Sequence, residues 1–198
     1  MKVDVALFFH ICGVLILFGS AGLEITSLTM LQRTRTVAVG RAWASLNRPL
    51  EFSFPIAVVV LIASGLYMLH ENPDFKQAQP WAMTVLVLLV ALAILGAAVN
   101  GRRMMAIYEG LQEAPDGPIP AEIAARIHEP LLLTSILTMT GAILGAVLIM
   151  TVKPGLRDAI IVAVVSMILG AAVAQGMLRS RRAEPVREPV ALGVGDTE

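Results

Sequence analysis

Residues 5–23 read VALFFHICGVLILFGSAGL, with no charged side chain, and residues 24–36 follow as EITSLTMLQRTRT, closing on two arginines. Crossing a hydrocarbon layer of ~30 Å takes about 20 helical residues at a rise of about 1.5 Å each. The stretch is therefore long enough to span, and its polar flank stops it. Four more charge-free runs of similar length follow, at 52–69, 81–99, 131–152 and 159–178. In a solvent that cannot hydrogen-bond, each backbone must pair its own N–H and C=O groups, so runs of this length read as helices and not strands.

Composition agrees with that reading. Of the 198 residues, 57% are hydrophobic and only 15% charged, and the mean hydropathy is +0.77, far from the balance of a soluble domain. The predicted fold class is all-α: a polytopic membrane bundle of five transmembrane helices with an interfacial helix after the first span. One domain covers 1–182, with spans at about 5–31, 52–70, 81–100, 131–152 and 158–178. A disordered cytoplasmic tail, 183–198, is expected because the end of the chain has no apolar period.

Orientation follows from the positive residues, which accumulate in cytoplasmic loops. Arg33, Arg35, Arg41 and Arg48, then Arg102, Arg103 and Arg126, then Arg179, Arg181, Arg182 and Arg187 fall on one side, eleven of the fifteen basic residues. The amino terminus is expected outside and the carboxyl terminus in the cytoplasm of a bacterial inner membrane. Gly19-Ser20-Ala21 offers small residues that a signal peptidase accepts, but cleavage there would invert every later loop against this count. The formal net charge is zero, so no global field draws nucleic acid. A lone Cys12 excludes an intramolecular disulfide and reads as a small buried hydrophobe.

Between the spans, residues 32–51 read as a short helix at the headgroup layer, with Val37, Trp43 and Leu46 among arginines. The next long connection continues the third span as an amphipathic helix through Tyr108. It breaks at Pro115-Asp116-Gly117-Pro118 and allows a short helix from Pro120 to His128. Pro55, Pro80 and Pro130 are expected in the opening turns of their spans, where a missing N–H is harmless.

Chemistry is concentrated on the first span. At about 100° per residue, His10, Gly13, Leu17, Ser20, Glu24 and Ser27 share an arc of roughly 100°, although Thr26 and Thr29 fall off it. That polar stripe is expected to face other helices, and an ionisable residue within a span is a site hypothesis by default. His10 and Glu24, about 21 Å apart along the axis, cannot share one coordination shell. Glu24 serves as a proton or cation relay or ligand anchor, or else pairs with Arg102, Arg103 or the Asn100 amide. Asn100 is placed on the face of Ala93, Gly96 and Ala97. His10, with His70 on the same side of the membrane, is the candidate ligand for haem iron or copper; Met68 and Met83 are softer donors. His128 reads as a solvated helix-end residue.

Thr134, Thr138, Gly141 and Gly145 on the fourth span, and Ser166, Gly170 and Ala174 on the fifth, form small-residue seams for helix packing or for a homo- or hetero-oligomer. Trp81 is an interfacial anchor.

Phe9-His10-Ile11-Cys12-Gly13 with Gly19 and Glu24, then Arg33 and Arg35, together with Ser64-Gly65-Leu66-Tyr67-Met68 and Met150-Thr151-Val152-Lys153-Pro154, carry a resemblance. The chain resembles a bacterial family of small multi-pass membrane proteins, a domain of unknown function distantly akin to the membrane part of copper-resistance protein D. That resemblance implies a copper or haem link resting chiefly on His10.

Two functions follow as expectations. One is transport of an ion or small molecule, or handling of a haem or copper cofactor, through the first-span stripe. The other is a structural or assembly role in a larger membrane complex. An enzyme is the third reading, since the sequence shows no nucleophile–base pairing, phosphate loop or metal quartet.

Overall fold

The structure is a computed structural model that describes residues 2–71 and 79–183; the tail beyond, expected to be disordered, lies outside the described residues. The chain is all-α. Its helices are α1 (Lys2–Leu31), α2 (Val37–Ser45), α3 (Leu50–Glu71), α4 (Pro80–Leu95), a π-helical turn (Gly96–Gly101), α5 (Arg102–Glu113), α6 (Ala121–Ile127), α7 (Pro130–Val152) and α8 (Leu156–Ala183). Five helical stretches are long and apolar enough to cross a membrane: α1, α3, the continuous α4–π–α5 rod, α6–α7 and α8.

The surface these helices leave uncovered identifies the solvent. α8 exposes Ile160, Ile161, Val164, Val165, Ile168, Leu169 and Val173, and α1 exposes Phe8, Phe9, Leu15 and Ile16. Water would not tolerate patches of that extent on a monomer. This is a membrane protein.

α1 packs on α3, and α7 packs on α8, while α4 lies against α7, α8 and α3. The α7–α8 contact is backbone on backbone. A Cβ on Gly141 would overlap the Ser166 carbonyl oxygen, and one on Gly170 would overlap that of Leu137. A Cβ on Gly145 would sit 2.7 Å from Ser166 Oγ. The two predicted seams therefore face each other within the chain, and dispersion from this close approach replaces the hydrophobic force that lipid cannot supply.

Two apolar clusters divide the bundle. One, around Leu17, Ala57, Leu61, Leu89, Ile143 and Ala163, fills the end bearing the amino terminus. The other joins Leu28 and Leu31 of α1 to Val37 of α2, Ile107 and Leu111 of α5, Ile127 of α6 and Leu133 and Ile136 of α7. The arginine-rich connections are thus a folded cap on one end of the bundle.

Arg41 ties that cap together. Its Nε donates to the Leu111 carbonyl at 2.8 Å and its Nη1 to Asp116 Oδ1 at 2.7 Å, while Nη2 donates to the Ala114 carbonyl. One guanidinium thereby satisfies carbonyls that end α5, the orphan groups of a helix terminus. Val37 N–H donates to the Gly117 carbonyl at 2.9 Å and Ile119 N–H to that of Arg35 at 3.1 Å, closing the break expected at 115–118. Trp81 anchors the opposite end, with the Lys153 ammonium 5.8 Å from its ring centroid.

Pro80 and Pro130 open their helices as expected. Pro55 does not: α3 already begins at Leu50, placing the proline inside the helix. The reason is that Pro49 and Asn47 carbonyls start the turn early, accepting from Ser53 and Leu50 N–H at 3.0 Å each. Cys12 is half-buried and not fully enclosed.

The seam yields the first prediction. Gly170→Val should cost on the order of 1–3 kcal/mol or prevent folding, read as a lower thermal midpoint in detergent. Gly176→Ala, on the same helix with open space around it, should leave the midpoint within about 0.5 kcal/mol of wild type. Equal behaviour of the two variants would contradict the packing.

Candidate functional site

The α1 stripe faces the protein. Gly13, Leu17, Ser20, Ala21, Ser27, Leu28 and Leu31 are buried, His10 and Glu24 are half-buried, and Thr26 faces outward. Glu24 lies at the centre of that buried arc, between Ala21 of one cluster and Leu28 of the other.

Along the stripe, polar groups meet partners in turn. His10 Nδ1 lies 3.0 Å from Ser64 Oγ of α3, beside Gly65. Ser64 has one hydroxyl proton, and it is directed to the Val60 carbonyl at 2.5 Å. With the hydroxyl donating there, its oxygen accepts from His10 Nδ1–H, the tautomer in which Nε2 keeps its lone pair. Farther along, Ser20 Oγ lies 3.1 Å from Ser53 Oγ. Ser27 donates to the Trp43 carbonyl at 2.8 Å and accepts from Asn47 Nδ2 at 2.5 Å. With its nitrogen so committed, Asn47 is left with a buried Oδ1 that has no partner among the described residues.

Glu24 itself has no hydrogen bond or ion pair among the described residues, and the expected pairing with Arg102, Arg103 or Asn100 does not form. The arginine is taken elsewhere: Arg103 Nε donates to Glu129 Oε2 at 3.1 Å and Nη1 to the Val99 carbonyl at 3.3 Å. Arg102 is exposed and makes no polar contact among the described residues. α1 docks chiefly on α3, α2 and α7 and shares the apolar cluster of Ile107 and Leu111 with the rod through Leu28 and Leu31, yet no ion pair to Glu24 forms among the described residues.

Asn100 sits in the π-helical turn and is 4% exposed. Among the described residues its Nδ2 reaches the Met139 sulfur alone, at 3.3 Å, and its Oδ1 has no partner. The expected face of Ala93, Gly96 and Ala97 is broken up, because a π turn advances the chain by less than 100° per residue. Ala97 is consequently exposed while Asn100 is buried.

His70 is exposed at the end of α3, six residues past Ser64, about 9 Å farther along the axis. No group of three or more His, Cys, Asp or Glu that would hold a metal forms among the described residues. His128 ends α6, with Nδ1 2.9 Å from the Ala124 carbonyl and Nε2 3.2 Å from that of Gln32.

Set against family models, curated proteins and solved structures, the chain matches none.

Ser53 and Asn47, two partners of the stripe, were not marked out by the sequence, and Ser64 stood out only within the Ser64–Met68 motif, with no partner assigned. For Ser53 the signal was spacing: Ser53, Ala57 and Ser64 recur at helical intervals on α3, a pattern shared with ordinary packing faces.

Asn100 gives the second prediction. A buried amide whose oxygen is unpaired is not held for stability, so Asn100→Leu should unfold no earlier than wild type. A loss above about 2 kcal/mol would show instead that the amide is satisfied and structural.

Proposed function

We propose that the protein is an integral membrane protein that handles a proton or small cation through the polar face of α1, with Glu24 as the group that receives it. One observation carries this reading: a carboxyl group at the centre of a buried helix face has no partner among the described residues. A carboxylate so placed is costly in a bilayer unless it is neutralised, and among the described residues no cation pairs with it: Arg41 and Arg103 are engaged elsewhere and Arg33, Arg35 and Arg102 are exposed. Binding a proton or cation supplies the missing charge. The Ser20–Ser53 pair before Glu24 and the Ser27–Asn47 pair after it extend the face in both directions with groups that donate or accept.

A second reading, haem or copper handling at His10, is favoured by the Nε2 lone pair that Ser64 leaves open. The resemblance carried by Phe9–Gly13 and Ser64–Met68 supports it, because these two motifs meet at the His10–Ser64 hydrogen bond. Assembly through small-residue seams is less favoured, since α7 and α8 use theirs on each other. We place the arginine-bearing cap in the cytoplasm of a bacterial inner membrane, supported by the clustering of α2, α5, α6 and the end of α8 at one end of the bundle.

Pyranine-loaded vesicles test the first reading. Dissipation of an imposed pH gradient, with sodium or potassium outside, should be protein-dependent and fall on the order of tenfold or more in Glu24→Gln; unchanged flux in that variant contradicts it. For the second, purified protein should carry a Soret band or stoichiometric copper that His10→Ala removes, and colourless, metal-free wild type rejects it.

A further inference from the structure

The π-helical turn and α7 leave a groove between them that the α1 face does not use. Its volume is about 350 Å³. Leu92, Leu95 and Val99 form one wall, Thr138 and Met139 the other, and Met167 of α8 the floor. From Leu92 to Arg103 it runs roughly 15 Å along the rod, and Leu95 and Leu131 at its rim are each half exposed. The groove therefore opens outward at Leu95 and Leu131.

Its mouth, at the arginine-bearing end, is charged. Arg103 lines it, held by Glu129 through Nε and by the Val99 carbonyl through Nη1. Its Nη2 has no partner among the described residues. Arg102 adjoins it, exposed and free of polar contacts among those residues. Arg103 and its sequence neighbour Arg102 set two guanidinium groups against the single Glu129 carboxylate, so the arginine-bearing end of the groove is net positive and keeps unused donors. An apolar slot that begins at the headgroup layer and ends near the bilayer middle accepts an acyl chain. A surplus of guanidinium donors at its mouth accepts phosphate oxygens. Basic pockets between transmembrane helices recognise anionic headgroups by this combination.

We infer that the groove between the α4–π–α5 rod and α7 is a specific site for one anionic phospholipid, its chain along Leu92–Val99 and its phosphate on Arg102 and Arg103. The site rests on the membrane reading alone and is independent of Glu24 and His10.

Native mass spectrometry tests it. Protein in mild detergent is mixed with equal amounts of phosphatidylglycerol and phosphatidylcholine of the same chain length. Wild type should retain one phosphatidylglycerol with a preference on the order of tenfold, the scale expected of two basic residues at an anionic headgroup. Arg102→Gln with Arg103→Gln should bring the preference down to about one, while Leu95→Trp, which fills the groove from its exposed side, should reduce retention of both lipids. Arg102→Gln alone removes an exposed side chain with no internal partner, so it tests the mouth even where the double variant does not fold; it should lower the preference about threefold. Absence of preference in wild type, a preference that survives removal of the arginines, or unchanged retention in Leu95→Trp each overturns the site.

Discussion

Hydrocarbon offers no hydrogen-bond partner, and everything in this fold follows from that. Each spanning backbone must close its own bonds, which makes the spans helical. Each polar side chain within them must then find a partner inside the protein or carry a function. The α7–α8 seam meets the constraint by shape, bringing backbones together where Gly141 and Gly170 carry no Cβ. The α1–α3 face meets it by pairing: His10 with Ser64 and Ser20 with Ser53. Where the chain leaves the apolar layer, the cap meets it by enclosing its own loop, with Arg41 closing the end of α5.

Among the described residues the Glu24 carboxyl escapes this closure, as do the buried Asn47 Oδ1 and Asn100 Oδ1. Glu24 and Asn100 occur where the two apolar clusters give way to each other. On α1 that boundary lies between Ala21 and Leu28, and on the rod between Ala93 and Met104, the interval that holds the π turn. A π turn inside a long helix is a local departure from the most stable ladder and is frequent at functional sites. Unsatisfied groups at a break between two packed layers are where a fold built only for stability would have placed leucine.

The spans, the cap helix and the break at 115–118 were legible in the sequence because each rests on a local rule: apolar length, arginine count, or a Pro-Gly cluster. The inward face of α1 was legible for the same reason, since small and polar residues repeat at helical spacing. Partner choice was not. The spans are apolar almost all round, so their own patterns do not fix which helix each one meets. The pairing of Glu24 with Arg103 failed on that point, as α1 turned to α3 and α7 while Arg103 took Glu129 from the start of α7. The face assigned to Asn100 failed for a different reason, because Gly96–Gly101 carries nothing that distinguishes a π turn from an α turn before the neighbouring Met139 is in place.

The central claim is that the edge of α1 running from His10 to Glu24 is turned into protein and its opposite edge into lipid. Spin labels at successive α1 positions, with Cys12 replaced, report this through collision with lipid-soluble oxygen in reconstituted bilayers. The account predicts high oxygen accessibility at Phe8, Leu15 and Gly22 and minima at Leu17, Glu24 and Leu28. Oxygen accessibility at Glu24 equal to that at Leu15 would contradict it.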